Sequence, residues 1–186
     1  MECLNIVHVM RITGGAFKGR RPKIAKAFKG RPTTDFGRES LFNVLRSRVD
    51  LEGLVVLELF AGTGMVALEF LSRGCESVVS VEKDPGAIRG MHSISRSMEL
   101  DEWQIVRGDA MGFVKKSLTQ YDLVFADPPF DLDGLTDIPE LVLESPLLVP
   151  GGWFILEHGE RTDVSHIRGF TETRKYGHVH FSLFKK

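Results

Sequence analysis

Asp127, Pro128, Pro129 and Phe130 stand consecutively after an apolar run, Tyr121–Ala126, that reads as a buried strand. Asp127 can accept a hydrogen bond from an amine N–H. The two prolines have fixed φ and no amide hydrogen, so they stiffen the turn and leave only carbonyl acceptors there. Phe130 offers a flat face on which a base can stack. Together these residues suit the gripping of an exocyclic amine on a nucleobase while its nitrogen attacks an electrophile. The tetrapeptide alone also fits a proline-rich turn with Phe130 in the core, and short motifs do not decide between the two.

A second stretch narrows the chemistry. Gly62-Thr63-Gly64-Met65-Val66-Ala67 fits the glycine fingerprint of a nucleotide-binding strand-to-helix turn, preceded by Phe60 and Ala61. Glu82 follows Gly62 by 20 residues, where an acid binds ribose hydroxyls. The turn by itself fits a nicotinamide or an adenosyl cofactor. Glu58 favours S-adenosylmethionine, because a carboxylate just before the turn would welcome a methionine ammonium and repel a pyrophosphate. Asp109, followed by Ala110, could reach an adenine amino group or serve only as a helix cap. A nicotinamide enzyme would also leave residues 127–130 unexplained.

Other candidates are weaker. His178 and His180 are expected on one strand face, without a third ligand, as ordinary histidines, and no metal is expected. Trp153 is expected in the core. Arg38 could face RNA, the cofactor carboxylate or solvent. Cys3 and Cys75 form neither a metal spacing nor a disulfide framework, and are expected as reduced thiols.

These residues need a scaffold that brings them together, and the chain supplies one. Apolar strands are predicted over residues 54–59, 77–82, 103–107, 121–126 and 153–157, alternating with helices. The helices begin after Thr34 or Asp35, after Gly64, at Asp84-Pro85, after Asp109 (through about residue 118) and around Ile138. Pro150-Gly151-Gly152 reads as a turn into the fifth strand. Residues 170–174 and 178–184 alternate apolar and polar and read as an antiparallel hairpin. Residues 10–15 read as a short strand ending in a turn, and residues 17–22 as a basic hairpin or loop. The pattern is α/β, a doubly wound and mostly parallel sheet, whose ligands lie beyond the carboxyl ends of its strands. Glu58, Gly62, Glu82, Asp109 and Asp127 all fall at or just past those ends.

The 186 residues are expected to form a basic N-terminal extension, 1–50, shaped as a lid, and a main domain, 51–186. The net charge of −1 conceals a segregation: residues 1–31 carry eight Lys and Arg against a single Glu. A basic arm on an acidic body points to a polyanionic partner. The composition is that of a soluble protein, without an apolar run long enough to span a bilayer and without a secretory leader at the start.

Several blocks resemble the bacterial 16S ribosomal RNA guanine-N2 methyltransferases of the RsmD family. They are Arg11-Ile12-Thr13-Gly14-Gly15 with Lys18-Gly19-Arg20, Arg31-Pro32-Thr33-Thr34-Asp35 with Arg38-Glu39 and Leu41-Phe42-Asn43, then residues 60–64, 108–110 and 127–130. The resemblance runs from Arg11 to the C-terminal hairpin, and its first two blocks are the specific ones. It implies a Rossmann-like class I methyltransferase fold and a cytoplasmic, monomeric enzyme. That enzyme would methylate a 16S guanine at N2 on the small subunit or an assembly intermediate. Catalysis would fall to Asp127, Pro128, Pro129 and Phe130. The cofactor would lie against Thr33, Glu58, Phe60, Ala61, Gly62, Gly64, Glu82, Asp109 and Ala110, and the RNA against Lys18, Arg20, Arg21 and Arg38. Phe36-Gly37 departs from the Arg-Val frequent in the family, and residues 1–9 have no counterpart. The rivals are a DNA adenine-N6 methyltransferase, a non-catalytic RNA-binding assembly factor and a nicotinamide oxidoreductase.

Overall fold

The computed structural model describes residues 10–23 and 34–186. Among them seven strands form one sheet in the order β3-β2-β1-β4-β5-β7-β6. β1 (Val55–Leu59), β2 (Ser77–Glu82), β3 (Trp103–Arg107), β4 (Tyr121–Ala126) and β5 (Leu148–Gly159) run parallel to their neighbours. β7 (Val179–Lys185) pairs antiparallel with β5, and β6 (Phe170–Tyr176) pairs antiparallel with β7 at the edge of the sheet. The winding reverses between β1 and β4, which leaves a crevice beyond their carboxyl ends.

Both faces of the central strands are covered, which explains their near-continuous apolar sequences. Alternate residues enter two apolar layers. Val56, Leu123, Phe125 and Ile155 join the first, with Met10, Ile12 and residues of the first three helices. Leu57, Leu59, Val124 and Leu156 join the second, with residues of the last two.

The helices start where the caps predict. Thr34 caps α1 (Asp35–Arg46), its hydroxyl accepting from the Gly37 N–H at 3.1 Å. Asp84 caps α3 (Pro85–Met98) at 2.7 Å, and Asp109 caps α4 (Ala110–Lys116) at 2.8 Å. α2 (Met65–Ser72) has no side-chain cap and begins at Gly64 in the left-handed region, φ 74°. A 3-10 turn, Leu135–Asp137, leads into α5 (Ile138–Glu144).

Four local expectations give way. Residues 10–13 form no strand; a tight loop is closed instead by Ile12 N–H to Arg20 O and Gly19 N–H to Ile12 O. The Pro150-Gly151-Gly152 segment does not precede β5 but lies within it, accommodated by a register shift opposite Tyr121 and Leu123. α4 ends at Lys116, because Ser117 turns extended. His178 lies outside β7, so its side chain projects into solvent beside Glu160, while His180 is buried edge-on to His158.

An ion-pair cluster ties the N-terminal segment to the main sheet. Glu69 of α2 is wholly buried and receives Arg38 of α1, Arg73, and both the amide and hydroxyl of Thr13. Arg38 is itself 0% exposed and also reaches Asp35 at 2.6 Å and the Arg11 carbonyl at 2.8 Å. Its guanidinium is thus committed to the interior, and the expectation that Arg38 faces RNA is corrected.

Candidate cofactor and base site

Three loops meet at the crevice. The first follows β1. Phe60 takes φ 60°, a left-handed conformation rare for a bulky side chain, and Gly62 follows at φ 55°. Gly64 cannot carry a side chain, since a Cβ there would approach the Trp103 ring to 2.4 Å. Ala61 is buried, and its amide donates to the Val81 carbonyl. The turn is thereby pressed against β2 and β3.

Glu82, at the end of β2, sets this turn. Its Oε2 accepts from the Gly62 amide at 2.8 Å, and its Oε1 from the amides of Lys83 and Asp84, each at 2.8 Å. Asp109 is exposed at the end of the next strand, with its Oδ1 on the Gly112 amide, and Ala110 behind it is buried.

Glu58 differs from its expected placement. It is 1% exposed and lies beneath the turn, not at its mouth. Oε2 accepts from the Ser80 hydroxyl at 2.5 Å and Oε1 from the Ala67 amide at 3.3 Å; Trp103 Nε1 donates to the same Ser80 oxygen at 2.9 Å. Burial pushes its pKa up to about 8, opposed by these two hydrogen bonds and reinforced by Asp127 and Glu82. At neutral pH Glu58 is therefore mostly uncharged, and its geometry supports the first turn of α2.

The third loop holds residues 127–130. The Asp127 amide donates to Leu59 O, which fixes the loop against the end of β1. Asp127 is half-buried, Pro128 is buried and Pro129 exposed, and the Pro129 carbonyl accepts from Leu132 N–H at 2.9 Å. Phe130 is 48% exposed, which removes the core reading of this ring. It lies over the end of β5, so close that a Cβ on Gly159 would meet its ring at 3.1 Å.

The sheet register places one further acid here. Glu58 pairs with Phe125, Phe125 pairs with Ile155, and paired residues share a face. Two residues on along each strand, Asp127 and Glu157 project from that same face at the carboxyl edge. Glu157 is 4% exposed, and burial, with the charge of Asp127 added, holds its carboxyl well above the usual range. The strand pattern marks Glu157 only as a strand end. Its signal was an acid closing an otherwise apolar strand beside the one that delivers Asp127.

The RNA-facing candidates lie apart from this edge. Lys18, Arg20 and Arg21 are exposed on the N-terminal loop, which is hydrogen-bonded to Ser72 at the far end of α2 from the glycine turn. A cavity of about 850 Å3 opens beside that loop, lined by Lys18, Arg46, Arg48 and Arg73 among others. Thr33 lies outside the described residues. Among those residues no group of three or more His, Cys, Asp or Glu gathers to hold a metal, and no helix is long and apolar enough to cross a membrane.

Known proteins are similar to this chain in sequence and in fold. "Putative rRNA methyltransferase YlbH" of Bacillus subtilis is 33% identical over 184 residues, which are 95% of this chain and 99% of that protein. "Ribosomal RNA small subunit methyltransferase D" of Escherichia coli is 34% identical over 122 residues, covering 65% of this chain and 60% of that one. The solved structure of "Putative methyltransferase yhhF" from Escherichia coli superposes with a TM-score of 0.82 at 28% identity, over 95% of this chain and 97% of that chain. A more distant structure, SMU.776 complexed with SAH, shares the fold with a TM-score of 0.66 at 16% identity, over 82% of this chain and 49% of that one. A family profile described as conserved hypothetical protein 95 matches residues 10–185, and the chain belongs to that family, the RsmD family.

Proposed function

We propose that this protein transfers a methyl group from S-adenosylmethionine to the exocyclic N2 of a guanine in 16S ribosomal RNA. The observation that carries the reading is the placement of Asp127-Pro128-Pro129-Phe130 beside the glycine turn, across the reversal between β1 and β4. The names of the relatives, an rRNA methyltransferase and a small-subunit methyltransferase, support the substrate class. The SAH bound to a structure of the same fold supports the cofactor.

The residues present fit that cofactor. Glu82 would offer its carboxylate to ribose hydroxyls, and it already accepts from the Gly62 amide of the glycine turn. Asp109, exposed at the next strand end, suits the adenine edge. The neutral, buried Glu58 keeps the turn in place without repelling the cofactor's own carboxylate. The bound cofactor supplies an electrophilic methyl group on a sulfonium.

The chain's own contribution is positional. Guanine N2 is a weak nucleophile because its lone pair is delocalised into the ring. Asp127 and the Pro128 carbonyl each accept one N–H, which orients the nitrogen and favours a pyramidal geometry for in-line attack. Such positioning can supply up to about 7–11 kcal/mol. Phe130, exposed over Gly159, stacks on the everted base. Asp127 stands ready to accept the proton released from N2.

The test is transfer of labelled methyl from S-adenosylmethionine to small subunits, naked 16S RNA and DNA, followed by nucleoside analysis. N2-methylguanosine from the small subunit or its RNA is expected. Methyladenosine from DNA, or binding to subunits without transfer, would overturn the reading. Asp127→Ala should lower turnover by at least about 100-fold while changing cofactor affinity less than about three-fold.

A further inference from the structure

We propose that the Glu157 carboxyl is a second base-reading group of this site, hydrogen-bonding the ring edge next to the amine that Asp127 holds. The inference rests on the reading of the site given above and extends it to base selection.

Three observations carry it. Among the described residues, Glu157 Oε2 is the one buried side-chain oxygen or nitrogen with no hydrogen-bond partner. Buried polar atoms are almost always satisfied, so an exception calls for an explanation, and a ligand atom that completes it is one. The position is the second observation. Glu157 lies near the carboxyl end of β5, the neighbour of β4, and projects from the face that carries Asp127. The ring of Phe130 closes over Gly159, two residues further on, so a base stacked on Phe130 lies between these groups. The third is charge. Burial, with the charge of Asp127 added, raises the pKa of Glu157 and favours its neutral form.

A neutral carboxyl presents a C=O acceptor and an O–H donor side by side. Guanine, held by N2, offers the complementary pair along the same edge: N1–H donates and O6 accepts. Adenine, held by N6, offers an acceptor at N1 and then a carbon-bound hydrogen, so one of the two hydrogen bonds is lost. Glu157 thus favours guanine over adenine, a choice that Asp127 and the prolines alone leave open, since either amine satisfies them.

The competing account is that Glu157 merely fills space, and the two make opposite predictions. Replacing an unsatisfied buried carboxyl by an apolar side chain of similar size is neutral or stabilising. Glu157→Leu should therefore keep or raise Tm and keep SAH affinity within about three-fold, yet lose about 30-fold or more in kcat/KM for small subunits, the loss of a bidentate base contact. Glu157→Gln retains a neighbouring acceptor and donor, and should recover at least about a tenth of the wild-type kcat/KM. Glu157→Ala carries the same expectation as Leu and stands in for it if Leu folds poorly.

Wild-type kcat/KM in the Leu or Ala variant would overturn the assignment, as would an equal loss in Gln and Leu accompanied by a lowered Tm. Wild-type protein assayed in parallel separates this from the function itself. If it yields methyladenosine or no product, the proposed function falls and the guanine-reading role with it. If it yields N2-methylguanosine and the variants match it, only the role of Glu157 falls.

Discussion

Glu58 shows how one carboxyl can be a binding candidate in the sequence and a buttress in the fold. An acid just before a glycine turn suggests a partner for an ammonium group, and periodicity gives no hint that it lies under the turn. What fixes it there is Ser80, one strand away, itself held by Trp103. Such cross-strand links depend on register, which the sequence does not print. The same holds for Glu157, whose relation to Asp127 emerges only once β5 is set beside β4. The burial of Glu58 has a thermodynamic signature. Its folded pKa, about 8, lies above its ordinary 4.5, so the folded state holds a proton that the unfolded chain releases. The associated stability is complete below about pH 4.5 and declines as pH rises towards 8, by up to about 1.4 kcal/mol per unit. Glu58→Gln should flatten that decline, measured as urea unfolding at pH 5, 6.5 and 8. An unchanged pH slope would mean that Glu58 is ionised in the folded protein.

The elements were more legible than their joints. The starts of α1, α3 and α4 follow from Thr34, Asp84 and Asp109, because a cap is a local hydrogen bond between near neighbours in the chain. The passage of β5 through Pro150-Gly151-Gly152 was not legible. Turn-forming residues continued a strand there because β5 bulges, residues 149–152 standing opposite Asp122 alone. Nor was the coupling of α1 to α2. Arg38 shares the helical spacing of Leu41, Phe42 and Leu45, but the sequence does not show the acid that lets a guanidinium lie on that face; it is paired with Glu69, fully enclosed. Removing Arg38 leaves Glu69 with Arg73 and Thr13, but it breaks the buried network and empties the space that the guanidinium fills. Arg38→Ala should therefore cost about 3–5 kcal/mol in chemical denaturation, and Arg38→Met combined with Glu69→Leu considerably less. If the single and double variants unfold together, the cluster does not hold α1 in place.

The charge distribution separates two tasks across the protein. The carboxyl edge of the sheet gathers acids, which the proposed function gives to an amine and a nucleoside, while exposed cations sit on the N-terminal loop at the opposite end of α2. An RNA that reaches both must extend past the catalytic edge. Lys18, Arg20 and Arg21 then contribute affinity without selecting the base. Replacing all three by alanine should weaken binding to small-subunit RNA and reduce the salt slope of log K by about 2–3. The modified nucleoside should stay the same. A salt slope equal to wild type would remove these residues from the RNA contact. The loop itself should survive the change, since main-chain bonds between Ile12, Gly19 and Arg20 close it.

The interleaving of the last three strands also bears on how the protein is made. β7 is later in the chain than β6 yet occupies the place between β6 and β5. A ribosome therefore releases β6 before anything exists for it to zip onto, and the growing domain waits with one border of β5 bare. Partly synthesised copies would display an adhesive rim that the finished protein has sealed.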